Sequence, residues 1–219
     1  MQGKELKKIL FISYQFPPLT GAGVHRSLQF VKHLYKFGYN PIVIAKKQNG
    51  NDEIDYGLEK QLPNNITIYR LDGINSYKIV STLMRLKVYR IFWYFLYAIF
   101  WESSVLWTYS IFKKVEEIVK KERPEIIYTT SGPFSSLLLG RHLQKKFKLK
   151  WIADLRDPFT DAYAWSFPSK LHWLIMRSWE KRIFSKPDKV IVTTNAVREL
   201  YINRKIINPE KIEVITNGY

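Results

Sequence analysis

What most constrains this chain is a short N-terminal unit, Lys8 to Ala45, reading KILFISYQFPPLTGAGVHRSLQFVKHLYKFGYNPIVIA. It holds an apolar run, a glycine-bearing turn, an amphipathic stretch and a second apolar run. Two apolar strands separated by a helix-length segment pair in parallel, with the helix crossing one face of the sheet. The turn then brings bare backbone amides to a helix N-terminus, where unpaired N–H groups and the helix dipole favour anions. A ligand-handling α/β fold is the first expectation.

The rest of the chain continues the alternation. A Gly/Asn/Asp-rich loop from Gln48 to Asn65 precedes a strand at Ile66 to Leu71, and a mostly helical region runs from about Ser76 to Lys121. Pro124 ends it. Strands are then expected at Glu125 to Thr130, Lys150 to Leu155, Lys189 to Thr194 and Lys211 to Thr216, with helices at Phe134 to Phe147, Lys170 to Ser185 and Asn195 to Arg204. Runs such as ILFIS, PIVIA and KVIVTT are apolar nearly throughout, as strands covered on both faces must be. The expected fold class is therefore α/β, a Rossmann-like, doubly wound, mostly parallel sheet flanked by helices. One domain over residues 1–219 is expected, with a helical aromatic and basic insertion at about 76–121. In such sheets ligands sit beyond the carboxyl ends of the strands, which singles out Tyr14 to Arg26, Thr130 to Phe134, Arg156 to Phe159, and Thr194 with Asn195.

Composition narrows the function classes. The chain has no cysteine, which removes disulfides, thiolate metal sites and cysteine nucleophiles and is consistent with a reducing cytoplasm. Ile9 to Tyr14 is too short for a signal-peptide core. The four histidines, His25, His33, His142 and His172, show no metal spacing, so no metal is expected. Net charge is +16, and two stretches lack acids altogether. The first, Gly73 to Trp101, carries Lys78, Arg85, Lys87 and Arg90; the second, Ile126 to Ala153, carries Arg141, Lys145, Lys146, Lys148 and Lys150. Such a field attracts polyanions without choosing among them, and without a helix-turn-helix or RNA-binding signature nucleic acid is not the expected partner.

Gly21-Ala22-Gly23-Val24-His25-Arg26 begins like a dinucleotide fingerprint, but Arg26 stands where the third glycine would be, and Ala45-Lys46-Lys47 supplies no acid for a ribose. A nicotinamide cofactor is not expected, and there is no GxxxxGK[ST] loop. Asp154, Arg156 and Asp157 gather at one strand exit, with Asp154 and Arg156 on one face by alternation. They could serve proton transfer, sugar-hydroxyl binding or a plain ion pair. Ile91 to Trp101 is an uninterrupted apolar run with Arg85, Lys87 and Arg90 just before it, which fits a core helix or a membrane-surface segment and is short for a span. Trp93 and Trp101 would be its interfacial anchors. Aromatics at Tyr163 to Phe167 either wall a sugar site or pack a loop.

Together, the opening unit, IIYTTSGPFSSLLLGRHL, WIADLRDPF, and PDKVIVTTNAVRELY followed by KIEVITNGY resemble the N-terminal domain of family-4-type glycosyltransferases, one half of a GT-B fold. The resemblance implies retaining transfer of a sugar from a nucleotide-sugar to a glycan or lipid-linked acceptor, at the cytoplasmic side of a membrane, in polysaccharide or glycolipid synthesis. It implies no cofactor beyond the donor substrate. Gly21, Gly23 and Arg26 would form the donor-phosphate loop, and Arg156 with Asp157 would stand where relatives have His-Asp against the transferred sugar. His25, Ser131, Gly132, Asp154 and Asn195 would line the acceptor cleft. Asn217-Gly218-Tyr219 resembles the point where relatives cross into a second, nucleotide-binding domain with a glutamate pair. That half would have to come from a missing C-terminal domain or a partner chain, so the resemblance implies a domain inactive alone. A non-catalytic module that docks on an anionic membrane or a partner is the alternative expectation.

Overall fold

The computed structural model describes residues 6–50, 52–74, 102, 104–161, 167 and 169–218. Seven strands form one sheet: β1 (Lys7–Ile12), β2 (Tyr39–Lys46), β3 (Thr67–Leu71), β4 (Ile126–Thr130), β5 (Lys150–Leu155), β6 (Lys189–Val192) and β7 (Ile212–Val214). Their spatial order is β3-β2-β1-β4-β5-β6-β7, and every pairing is parallel. The expectation of a mostly parallel sheet thus sharpens to a wholly parallel one among the described strands. The helices are α1 (Ala22–Leu34), a single turn α2 (Tyr56–Glu59), α3 (Val105–Glu122), α4 (Ser136–Phe147), α5 (Lys170–Phe184) and α6 (Asn195–Asn203).

The period of each strand sorts its side chains between two cores. Leu10, Ile12, Ile42, Ile44, Ile127, Trp151, Ala153 and Leu155 face α3, α4, α5 and α6, whose Ile111, Leu139, Met176 and Tyr201 close that side. Ile9, Phe11, Val43, Ala45 and Tyr128 face the other side, where Val31 of α1 packs. Val24, Leu28 and Val31 recur at helical spacing along α1 and are all fully buried, which is why this stretch becomes a helix lying on the sheet. Gly140 lets α4 approach β4 and β5: a Cβ there would lie 2.6–2.7 Å from Trp151 and Thr129.

Strand order reverses at β1, whose neighbours β2 and β4 are reached by chain running in opposite directions across the sheet. At such a reversal the connections after the two strands, here β1 and β4, run to opposite faces and open a crevice, the usual ligand position in open α/β sheets. Strand and helix bounds differ from the sequence expectation by a few residues at most, and the short α2 lies in what reads as loop. The expected helical region from 76 is described from residue 104 onward. Lys78, Arg85, Lys87, Arg90, Trp93 and Trp101, and Tyr163 to Ser166 of the later aromatic stretch, lie outside the described residues.

Candidate functional site

Three loops converge beyond the strand ends. The β1 exit leads through Gly21, which caps α1 with φ 124°, a backbone conformation open to glycine. No side chain caps α1 and no acid stands in its first turn, so its leading amides face the crevice with the positive end of the helix dipole. The β4 exit runs through buried Ser131 to Gly132, whose φ is 92°. The β5 exit carries Arg156 and Asp157.

The guanidinium of Arg156 fills the gap between the first two loops. A Cβ on Gly23 would lie 1.7 Å from its Nη1, and one on Gly132 would lie 1.4 Å from its Nη2. A side chain at either glycine would have to displace the arginine between them. Its Nε donates to the Ser131 carbonyl at 2.6 Å and its Nη2 reaches the Gly132 carbonyl at 3.4 Å. The backbone is fixed as well: Arg156 N–H donates to Ser131 Oγ at 2.9 Å, and Thr193 Oγ1 donates to the Arg156 carbonyl at 2.7 Å. No carboxylate ion-pairs with this guanidinium among the described residues. Burial lowers the Arg156 pKa, with Asp154 and Asp157 opposing that shift from a distance.

Arg26 behaves differently. Its side chain crosses from α1 to β5, where Nε donates to Asp154 Oδ2 at 2.9 Å and Nη2 to Asp154 Oδ1 at 2.8 Å. Nη1 donates to the Thr216 carbonyl at 3.2 Å and Asn217 Oδ1 at 3.1 Å. Asp154, which is 0% exposed, also accepts from Thr130 Oγ1 at 3.2 Å. Burial alone would lower the Arg26 pKa, but the hydrogen bonds and charge of Asp154 reverse this and raise it. Beneath the pair, the Tyr128 phenol stacks on Phe11 and is held neutral, pushed well above its ordinary value by burial and then by Asp154.

Of the residues singled out in the sequence, Gly23, Gly132 and Arg156 come into contact, while Gly21, His25, Asp157 and Asn195 are exposed around the crevice. Arg26, expected in the donor-phosphate loop, and Asp154, expected in the acceptor cleft, are paired with each other and buried. The alternation that put Asp154 and Arg156 on one face holds, yet the partner of Asp154 is Arg26. Ser131 is 1% exposed and serves as a brace for Arg156.

Two supporting carboxylates were not singled out. Glu102 accepts from the N–H groups of Phe134 at 2.9 Å and Ser135 at 2.8 Å, and so occupies the N-terminus of α4 and fixes the turn carrying Gly132. Burial raises its pKa despite those bonds. Glu180, fully buried, accepts from Arg204 Nη2 at 2.5 Å and from Thr160 Oγ1 at 2.7 Å, tying the loop after β5 to α5 and α6. Its signal was present: Met176, Glu180 and Ile183 share the buried stripe of α5. Among the described residues no group of three or more His, Asp or Glu is placed to hold a metal, and no helix is long and apolar enough to cross a membrane.

The sequence model of Glycosyltransferase Family 4 matches residues 21–219. Among solved structures, sucrose-phosphate synthase from Thermosynechococcus elongatus superposes with a TM-score of 0.62 at 17% identity, over 97% of this chain and 48% of that one. A glycosyltransferase from Rickettsia africae gives 0.56 at 20% identity, over 98% and 44%. The UDP-GlcNAc 2-epimerase of Methanocaldococcus jannaschii gives 0.56 at 14%, over 97% and 46%. These likenesses show the Rossmann-like fold shared with GT-B enzymes, and the chain spans about half the length of those structures. No curated protein matches it in sequence.

Proposed function

The chain belongs to Glycosyltransferase Family 4, and from that membership we propose that it is the acceptor-side domain of a retaining transferase using a nucleotide-sugar donor. The observation that carries this reading is the convergence of an uncapped helix N-terminus with an arginine that has no carboxylate partner among the described residues. Both attract anions, and together they supply the electrostatic stabilisation that a departing nucleoside diphosphate needs. In this reading the bond from the sugar C1 to the diphosphate oxygen breaks while a bond from C1 to an acceptor hydroxyl oxygen forms. The acceptor proton leaves with the diphosphate or to solvent. Arg156 and the amides after Gly21 take the growing phosphate charge, so no metal is required.

In this reading Asp157 accepts from sugar hydroxyls, and His25 and Asn195 meet the acceptor. Arg26, Asp154 and Ser131 hold the loops in register. The nucleotide is held by a second domain or partner chain, which makes this part inactive alone. Cytoplasmic peripheral contact with an anionic membrane through Arg85 to Trp101, and a glycan or lipid-linked acceptor, complete the reading. The test is sugar transfer or donor hydrolysis by the full-length gene product with a panel of nucleotide-sugars. Turnover that falls at least tenfold in Arg156→Ala is expected. Turnover unchanged in that variant, or absent with every donor, contradicts the reading.

A further inference from the structure

At the opposite end of the sheet from the crevice, the end of α4, the start of β5 and the turn after α5 border an open cavity of about 490 Å³. Arg141, Lys145, Lys148, Lys150 and Lys186 line it, with Asp188 as its one acid. None of the five cations forms an ion pair among the described residues. Asp188 is already engaged, since its Oδ2 accepts from the Trp151 N–H at 2.8 Å and from Gln144 Nε2 at 3.1 Å.

Neighbouring basic groups are treated otherwise. A second cavity, near the start of β1, gathers Lys8, Lys120, Lys121 and Arg123, but Glu122 and Glu125 stand among them. Glu122 pairs there with Lys8 at 3.2 Å. Lys146, next in sequence to Lys145 but turned toward α3, meets Glu116 at 2.6 Å. Those two groups hold carboxylates in ion pairs, whereas the five cations of this cavity form none among the described residues. The helix dipole favours cations in the last turn of α4. It does not account for Lys150, which begins a strand, or Lys186, which lies beyond α5. Five like charges around one concavity repel one another, and a bound polyanion relieves that repulsion.

We propose that this cavity is a second anion site, taking a compact ligand that carries two or more phosphate groups. Its volume falls in the range of small-molecule sites, roughly 300–1,000 Å³. Lysine ammonium groups, each with three rotatable donors, suit phosphate oxygens presented from several directions. The site lies apart from Arg156 by the length of β5, roughly 20 Å at about 3.3 Å per residue. It therefore stands independently of the transferase reading. The phosphates arrive either on a free metabolite-sized anion or on a lipid headgroup.

Inorganic tripolyphosphate, titrated at physiological salt and followed by amide resonances, tests this. Saturable shifts centred on Lys148, Lys150 and Asp188 are expected. The affinity falls at least tenfold when Lys145, Lys148, Lys150 and Lys186 become Glu, and by a smaller factor in the milder Lys148→Ala, Lys150→Ala variant. It persists in Arg156→Ala and in a Lys36→Glu, Lys60→Glu, Lys113→Glu, Lys114→Glu control that changes net charge by the same amount. Absent saturation, or equal loss in that control, overturns the proposal. Vesicles containing cardiolipin, whose headgroup carries two phosphates, identify the source. Sedimentation that the four lysine replacements weaken and tripolyphosphate competes away assigns a headgroup, and sedimentation that those replacements leave unchanged, or its absence, assigns a free anion.

Discussion

Arg26, from α1, and Arg156, from the exit of β5, lie at the same strand end and meet opposite fates. Arg26, 8% exposed, has a bidentate carboxylate, a carbonyl and an amide oxygen. Among the described residues the Arg156 guanidinium meets only carbonyls, and two glycines make room for it. Their pKa values move in opposite directions for that reason, up for Arg26 and down for Arg156. A buried cation with its charge cancelled fixes a structure, whereas one left uncancelled at a crevice awaits an anion.

The largest effect that sharpens this contrast is on stability. Asp154→Ala strands a buried guanidinium and is expected to cost about 3–5 kcal/mol in urea unfolding. Arg156→Ala removes hydrogen bonds to carbonyls only and is expected to cost about 1–2 kcal/mol. Equal costs would break the comparison.

Next come the glycines. Gly23→Ala and Gly132→Ala each drive a methyl group into the guanidinium, at a cost of about 1–3 kcal/mol. In an Arg156→Ala background the Gly23 penalty largely disappears. Gly132→Ala keeps about 1–2 kcal/mol, because its left-handed backbone remains unsuited to a side chain. A Gly23 penalty that persists without Arg156 shows that the slot is not the reason for the glycine.

Smaller still is the pH effect of Glu102. Its folded pKa is raised, so the folded state binds more protons than the unfolded one over the window from the ordinary glutamate range up to the raised value. Its contribution is full below that window and is lost as pH rises through it. The stability of Glu102→Gln is expected to fall less over that window than that of the parent, and the reverse order contradicts the burial argument. Asp157→Asn, at an exposed position, is expected to stay within about 0.5 kcal/mol of the parent in the same unfolding assay.

The fold was legible because apolar strands alternate with amphipathic helices. Val24, Leu28 and Val31 announce the buried face of α1, and KWIADL reads as a strand with the same bounds in the structure. The loops at the strand ends were legible for the same reason. Which cation in them is free was not, because it depends on Arg26 reaching a residue 128 positions away. Local spacing suggested an Asp154–Arg156 pair, and only the packing of α1 against β5 reassigns the carboxylate. Glu102 was hidden similarly, since its partners at Phe134 and Ser135 are backbone amides that no side-chain pattern marks.

The most direct test of the account is a pyrophosphate titration read at the Ala22, Gly23 and Gly132 amides in the parent and in Arg156→Ala. Saturable shifts at all three are predicted, with affinity falling roughly ten- to a hundredfold without the guanidinium, as expected for hydrogen bonds to a charged group. Shifts that persist unchanged in Arg156→Ala, or none at these amides in the parent, would contradict the claim that this arginine awaits an anion.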